Sequence, residues 1–134
     1  MSDELIKAVF DGDVDAVRRL LDAGDYIDAD GRIWNPLHVA IENQNAACVH
    51  LLICRGADIE HRAAGNLSPL AHAVDIAIDG TMQTGGNPGD EPTEIINLLL
   101  DAGADRAPAL ELAREYQSSK IVDILTNAVK RRLA

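Results

Sequence analysis

Residues 35–40, NPLHVA, return in altered form thirty-three positions later as SPLAHA, residues 68–73. A catalytic motif has no reason to be duplicated at that interval, whereas a structural unit that stacks on copies of itself does. The period extends beyond the pair. Leu5, Leu37, Leu70 and Leu110 each open a short apolar segment ending near Ala8, Ala40, Ala73 and Ala113, at separations of 32, 33 and 40 residues. The segments VRRLLDAGDYID, VHLLICRGADIE and INLLLDAGADR place a glycine at 24, 56 and 103, and the count from Leu5 to Gly24 equals that from Leu37 to Gly56, nineteen. A period near 33 built from two helices and a glycine-ended turn is the signature of a solenoid.

Each half of the unit has a physical reason. Pro36 and Pro69 suit the first helical position, where a missing N–H costs nothing, with Asn35 and Ser68 before them as N-caps. The second helix carries apolar residues at helical spacing: Val14, Val17, Leu20 and Leu21, then Ala46, Val49, Leu52 and Ile53. Gly24, Gly56 and Gly103 end it in a left-handed C-cap. After Gly24 and Gly56 the chain has room for an outstretched hairpin. The first hairpin turns at Asp30-Gly31, although Ile33 occupies the slot that Asn66 fills in its successor.

These residues resemble ankyrin repeats. WNPLHVA with LLICRGADI, LLLDAGAD, and LIKAVFDGDVDAVRRLLDAG with Gly12 between its helices all follow the pattern of that family. The resemblance implies an all-α solenoid of four helix-turn-helix units with two hairpin-like fingers, in one domain spanning 1–134. The units fall at about 3–33, 34–66, 67–105 and 106–134. It also implies that His38 is a structural hydrogen-bonding residue tying adjacent units, while His50 and His72 stand alone and His61 falls in a hairpin.

Two departures break the period. Leu70 to Gly103 spans fourteen residues more than the earlier units, and the surplus maps to 77–90, AIDGTMQTGGNPGD. Its Gly, Asn, Pro and Thr content reads as irregular chain over much of its length. Ala77–Asp79 can extend the first helix, Asp79-Gly80 reads as a turn, and Pro92 as the start of the second helix. Such an insertion is either a functional surface loop or a tolerated excursion. Only seven residues then separate Gly103 from Leu110, too few for a third finger. The last unit, closing on Lys130, Arg131 and Arg132, reads as a polar C-terminal cap.

Charge narrows the partner. The net charge is −10, and residues 75–105 hold seven acids and no base. Most of such a surface repels nucleic acid. No apolar run approaches the roughly 18 residues of a membrane span, and MSDELIK lacks the order of a secretory signal. Cytoplasmic location and a monomer are expected. Cys48 and Cys54 read as buried reduced thiols, because six helical steps place them on different faces. No metal spacing, nucleophile–base pair or phosphate-binding loop emerges, so no cofactor and no catalysis are expected.

The leading expectation is a non-catalytic module that binds a protein with a basic surface through its concave face and inserted loop. An inhibitor or immunity-type antitoxin masking a basic toxin or nuclease is the alternative, and an enzyme a remote one. By resemblance, the variable contact positions fall on Arg32, Trp34, Glu42, Asn43, Arg62, Ala64, Leu67, Asp75 and Ile76. Phe10 and Asp11 take those slots in the first unit, and Glu115 and Tyr116 in the last. Asp79, Asp90 and Glu91 add the acids of the insertion.

Overall fold

A computed structural model describes the backbone at residues 2–24, 27, 35–63, 67–83 and 93–133, and side chains over 4–24, 27, 35–63, 67–79 and 93–126. Eight α-helices lie among them: α1 (Ser2–Asp11), α2 (Val14–Asp22), α3 (Pro36–Glu42), α4 (Ala46–Cys54), α5 (Pro69–Gln83), α6 (Glu94–Asp101), α7 (Ala107–Glu115) and α8 (Ser119–Leu133). They pair as α1/α2, α3/α4, α5/α6 and α7/α8. The pairs stack so that α1, α3, α5 and α7 pack in one row and α2, α4 and α6 in a second. The fold is the all-α solenoid that the period implies.

Local chemistry sets each helix boundary. The Asn35 side chain accepts the His38 N–H at 3.0 Å, and Ser68 Oγ accepts from Ala71 at 3.2 Å. Both are the expected N-caps, and each satisfies a donor the helix itself leaves free. Asp13 and Asn45 cap α2 and α4 in the same way. The turn inside each of three pairs runs through one residue at positive φ: Gly12 (74°), Gln44 (54°) and Gln117 (56°). Two backbone hydrogen bonds close it, as in Gln44 N–H to Ile41 at 2.9 Å and Asn45 N–H to Ala40 at 3.0 Å. The outer ends close alike at Gly24, Gly56 and Gly103, with φ of 92–98°. This is the left-handed terminator expected there.

The core is aliphatic and continuous, running from Leu5 and Val9 through Leu37, Ile41, Val49 and Leu52 to Leu70, Val74, Ile96, Leu99, Ile121 and Leu125. Leu110 is half-buried, unlike its counterparts Leu5, Leu37 and Leu70. Arg114 stands exposed where the buried Ile41 stands in the second pair, counting back from the turn residues Gln117 and Gln44. A charged residue at the position that elsewhere packs on the next pair gives the α7/α8 pair a polar outer face.

The third pair departs from the reading of its sequence. Helix α5 runs fifteen residues, to Gln83. The Asp79-Gly80 pair, expected as a turn, therefore lies inside a helix. Glycine costs a helix about 1 kcal/mol, but Ala77 and Ile78 continue the apolar stripe of Leu70, Ala73 and Val74 and are buried. Their burial outweighs that cost. Helix α6 begins at Glu94 after Thr93, later than Pro92 suggests. Residues 84–92, with Asp90 and Glu91, lie outside the described residues.

Among the described residues, the second finger is held by one antiparallel bridge, Ala63 to Leu67. The first, with Asp30-Gly31 and Ile33, lies outside the described residues. Between Gly103 and α7 the chain turns tightly, as the short spacing requires. Glu60, from the second finger, accepts the Asp105 N–H there at 2.7 Å.

Candidate functional site

The expected contact residues converge on one edge of the molecule, where the C-terminal ends of α1, α3 and α7 lie beside the middle of α5. Phe10 and Asp11 close α1, and Glu42 and Asn43 close α3. Asp75, Ile76 and Asp79 lie on α5, and Glu115 and Tyr116 close α7. Among the described residues, Phe10 and Tyr116 are the large apolar side chains left most open, at 67% and 45% exposure. Neighbouring pairs touch along this edge. The Asn43 side chain donates to the Phe10 carbonyl at 3.0 Å, and the Tyr116 hydroxyl donates to Asp75 at 2.9 Å. That hydrogen bond, with the negative field of Asp75, Asp79 and Glu115, raises the phenol pKa. The ends of α1, α3 and α7 also carry the negative pole of their backbones, whereas α5 runs on past Asp79 to Gln83.

Other expected positions join this edge less fully. Arg62 is exposed on the second finger, but Leu67 is half-buried against the core and forms the finger's bridge. Ile76 lines a crevice with Ile41, Gln44, Ala73 and Ile96. Arg32, Trp34 and Ala64 lie outside the described residues.

Beneath the edge lies a cluster that the repeat pattern alone did not disclose. His38 and His72 are fully buried and stacked, with ring centroids 5.1 Å apart and planes 23° from parallel. Their Nδ1 atoms approach to 2.9 Å. His38 Nε2 donates to the His61 carbonyl at 2.7 Å, so His38 ties the second pair to its finger, consistent with the structural role that the resemblance implies. Burial drives its pKa down to about 4 despite that hydrogen bond, helped by the charges of His72 and His61. His72, expected to stand alone, pairs instead with Glu42 at 2.6 Å. The signal was a register slip: in SPLAHA the histidine sits one residue later than in NPLHVA. That rotates it about 100° around the helix, toward the preceding pair.

A second correction concerns the thiols. Cys48 is buried, and its pKa is raised by burial and by Asp13, as suits an inert core thiol. Cys54 is exposed, on the far side of α4 from Val49 and Leu52, with its sulfur 3.6 Å from His50 Nε2. Among the described residues no group of three or more metal-binding side chains converges, and no helix is long and apolar enough to cross a membrane.

With this geometry in place, the comparison with protein families is decisive. The model for ankyrin repeats (3 copies) matches residues 4–75, more than half of the 134-residue chain. The chain belongs to the ankyrin-repeat family. No curated protein matches it. The matched stretch of this ankyrin-repeat chain covers α1 to α4 and the first half of α5, so it includes both stacked histidines. Ankyrin repeats are generally protein–protein interaction modules, typically without catalytic activity.

Proposed function

We propose that the chain binds a protein partner with a basic surface along the edge formed by the ends of α1, α3 and α7 and by Asp75 and Asp79 of α5. The observation that carries this reading is the placement of Asp11, Glu42, Asp75, Asp79 and Glu115 on one edge with the exposed Phe10 and Tyr116 at its two ends. Exposed carboxylates at helix C-termini are locally unfavourable, because each faces a like-signed pole. Helices α1, α3 and α7 accept that cost on the same side, and a cationic partner relieves it. Among the described residues, Arg114 adds a basic group in the last turn of α7, next to Glu115.

Aromatic anchors and charges divide the work in such an interface. Buried aromatic anchors supply most of the affinity, while the surrounding charges steer encounter and fix register. Masking a toxin or nuclease and docking a basic adaptor peptide are two forms of the same binding. The test is to isolate the partner from source-cell lysate and compare variants. Joint replacement of Asp11, Glu42, Asp75 and Asp79 by their amides is expected to slow association at least tenfold and flatten its salt dependence. Phe10→Ala is expected to cost affinity, by roughly 2 kcal/mol, mainly through faster dissociation. An association rate untouched by the four amides reduces the acidic edge to a solubilising surface.

A further inference from the structure

The stacked histidines pose a counting problem. Three short contacts run in series: His61 carbonyl to His38 Nε2 at 2.7 Å, His38 Nδ1 to His72 Nδ1 at 2.9 Å, and His72 Nε2 to Glu42 Oε2 at 2.6 Å. Each needs one hydrogen between its two atoms, since lone pair against lone pair repels. A carbonyl only accepts, so His38 carries its hydrogen on Nε2. A neutral His38 then has a bare Nδ1, and His72 must donate from its own Nδ1. That leaves the third contact, where His72 Nε2 meets a carboxylate oxygen. Two neutral imidazoles bring two hydrogens to three contacts. The missing one comes from solution.

We propose that the junction between α3 and α5 is a proton-gated latch: His38, His72 and Glu42 together hold one proton more than two neutral imidazoles and a carboxylate carry, and the junction loosens when that proton leaves. The extra proton lies between His72 Nε2 and Glu42 Oε2. The His72 side chain is 2% exposed and that of Glu42 is 56% exposed, so the carboxylate reaches the buried ring while remaining open to solvent for exchange. His38 is the wrong place for the proton. Burial holds its pKa near 4, and a charge there stands one ring farther from the Glu42 carboxylate than a charge on His72.

Among the described residues, charged groups of several elements surround the latch. The finger brings His61, whose ring lies edge-on to His38 at 6.0 Å, and the exposed Arg62 beside it. Helix α5 adds Asp75 and Asp79, which face Tyr116 and Glu115 of α7. Helix α6 adds Glu94 at the mouth of the crevice beside Ala73. Apart from Arg62 and the His61 ring, these groups are acidic or a hydrogen-bonded phenol. The latch does not depend on what the acidic edge binds.

The sign of the effect follows from linkage. A folded state that holds a proton the unfolded chain releases is stabilised at low pH and loses that stability as pH rises. The thermal midpoint of the wild-type chain is therefore expected to fall by about 3 °C or more between about pH 6 and about pH 10. Glu42→Gln supplies the third hydrogen from an amide, which donates to a bare His72 Nε2. It is expected to keep the junction closed and abolish the alkaline fall. In the same experiment, nitrogen-15 spectra of the wild-type histidines at neutral pH are expected to show both nitrogens of His72 protonated and His38 neutral with its hydrogen on Nε2. A neutral His72 at pH 7, or an alkaline fall that persists undiminished in Glu42→Gln, overturns the latch.

Discussion

Among the described residues, the polar contacts that join the first and second helix pairs lie at the surface, and those that join the second and third lie in the interior. At the first junction Arg55 of α4 meets Asp22, at the end of α2, at 2.6 Å, with side chains 36% and 58% exposed, and Asn43 caps the Phe10 carbonyl in the open. At the second, two buried imidazoles stack and pass hydrogen bonds from the His61 carbonyl to Glu42. The apolar packing is of one kind at both. What differs is whether water can replace a lost polar partner. At the first junction it can, and at the second it cannot, so equal-looking contacts carry unequal weight.

The largest effect should come from His38→Ala. It removes a buried ring and strands both the His61 carbonyl and His72 Nδ1, for an expected loss of roughly 3 kcal/mol by chemical denaturation. A loss below about 1 kcal/mol would make the buried junction no stronger than the exposed one.

Acid should break the second junction while sparing the first. The His38 pKa is depressed from 6.5 to about 4. The unfolded chain therefore takes up a proton before the folded one does. Stability from this group is fully present above about 6.5, declines by about 1.4 kcal/mol per pH unit as pH falls, and levels off below about 4. By pH 5 the expected loss is about 2 kcal/mol, and urea unfolding at pH 7, 6 and 5 reads it directly. His38→Ala should flatten this part of the profile, whereas Arg55→Ala should leave it intact.

The two junctions were also unequally legible in the sequence. The caps at Asn35 and Ser68 and the glycine terminators follow from backbone chemistry within a few residues, so spacing alone disclosed them and, with them, the stacked pairs. The His38–His72 contact spans 34 residues and exists because His72 is one step out of register. A periodic reading treats such a slip as noise, although an off-register residue is the one that can face across to a neighbouring unit. Helix α5 was under-read for a similar reason. Local propensity at Asp79-Gly80 favoured a turn, and only tertiary burial of Ala77 and Ile78 reversed it. The acidic edge was placed by alignment of the units, but its two hydrogen bonds, Asn43 to Phe10 and Tyr116 to Asp75, depend on distances that no spacing supplies.

An intermediate effect separates the turns inside the pairs. Gly12 and Gln44 occupy equivalent positions, at φ 74° and 54°. A Cβ at Gly12 would sit 3.1 Å from the Asn45 amide nitrogen, so Gly12→Ala adds a close contact to a strained backbone. The expected cost is about 1–2 kcal/mol. Gln44→Gly relieves the same strain in the second pair but loosens the unfolded chain, and the two terms nearly cancel. If Gly12→Ala proves neutral in thermal unfolding, the first turn adapts as readily as the second.

The smallest effect is expected where the contact looks shortest. The Arg55–Asp22 pair, at 2.6 Å, bridges α4 to the end of α2, yet both partners are more than a third exposed. Water solvates each ion nearly as well alone, and ordering two long side chains costs entropy, so such pairs contribute about 0–1 kcal/mol. A double-mutant cycle with Arg55→Ala and Asp22→Ala is expected to return a coupling below about 0.5 kcal/mol, shrinking further in salt. The value matters for the comparison because the His72–Glu42 contact has the same length, 2.6 Å, with one partner buried. If the surface pair coupled as strongly as the buried one, distance would govern both junctions. A weak surface coupling beside a strong buried one assigns the difference to solvent access.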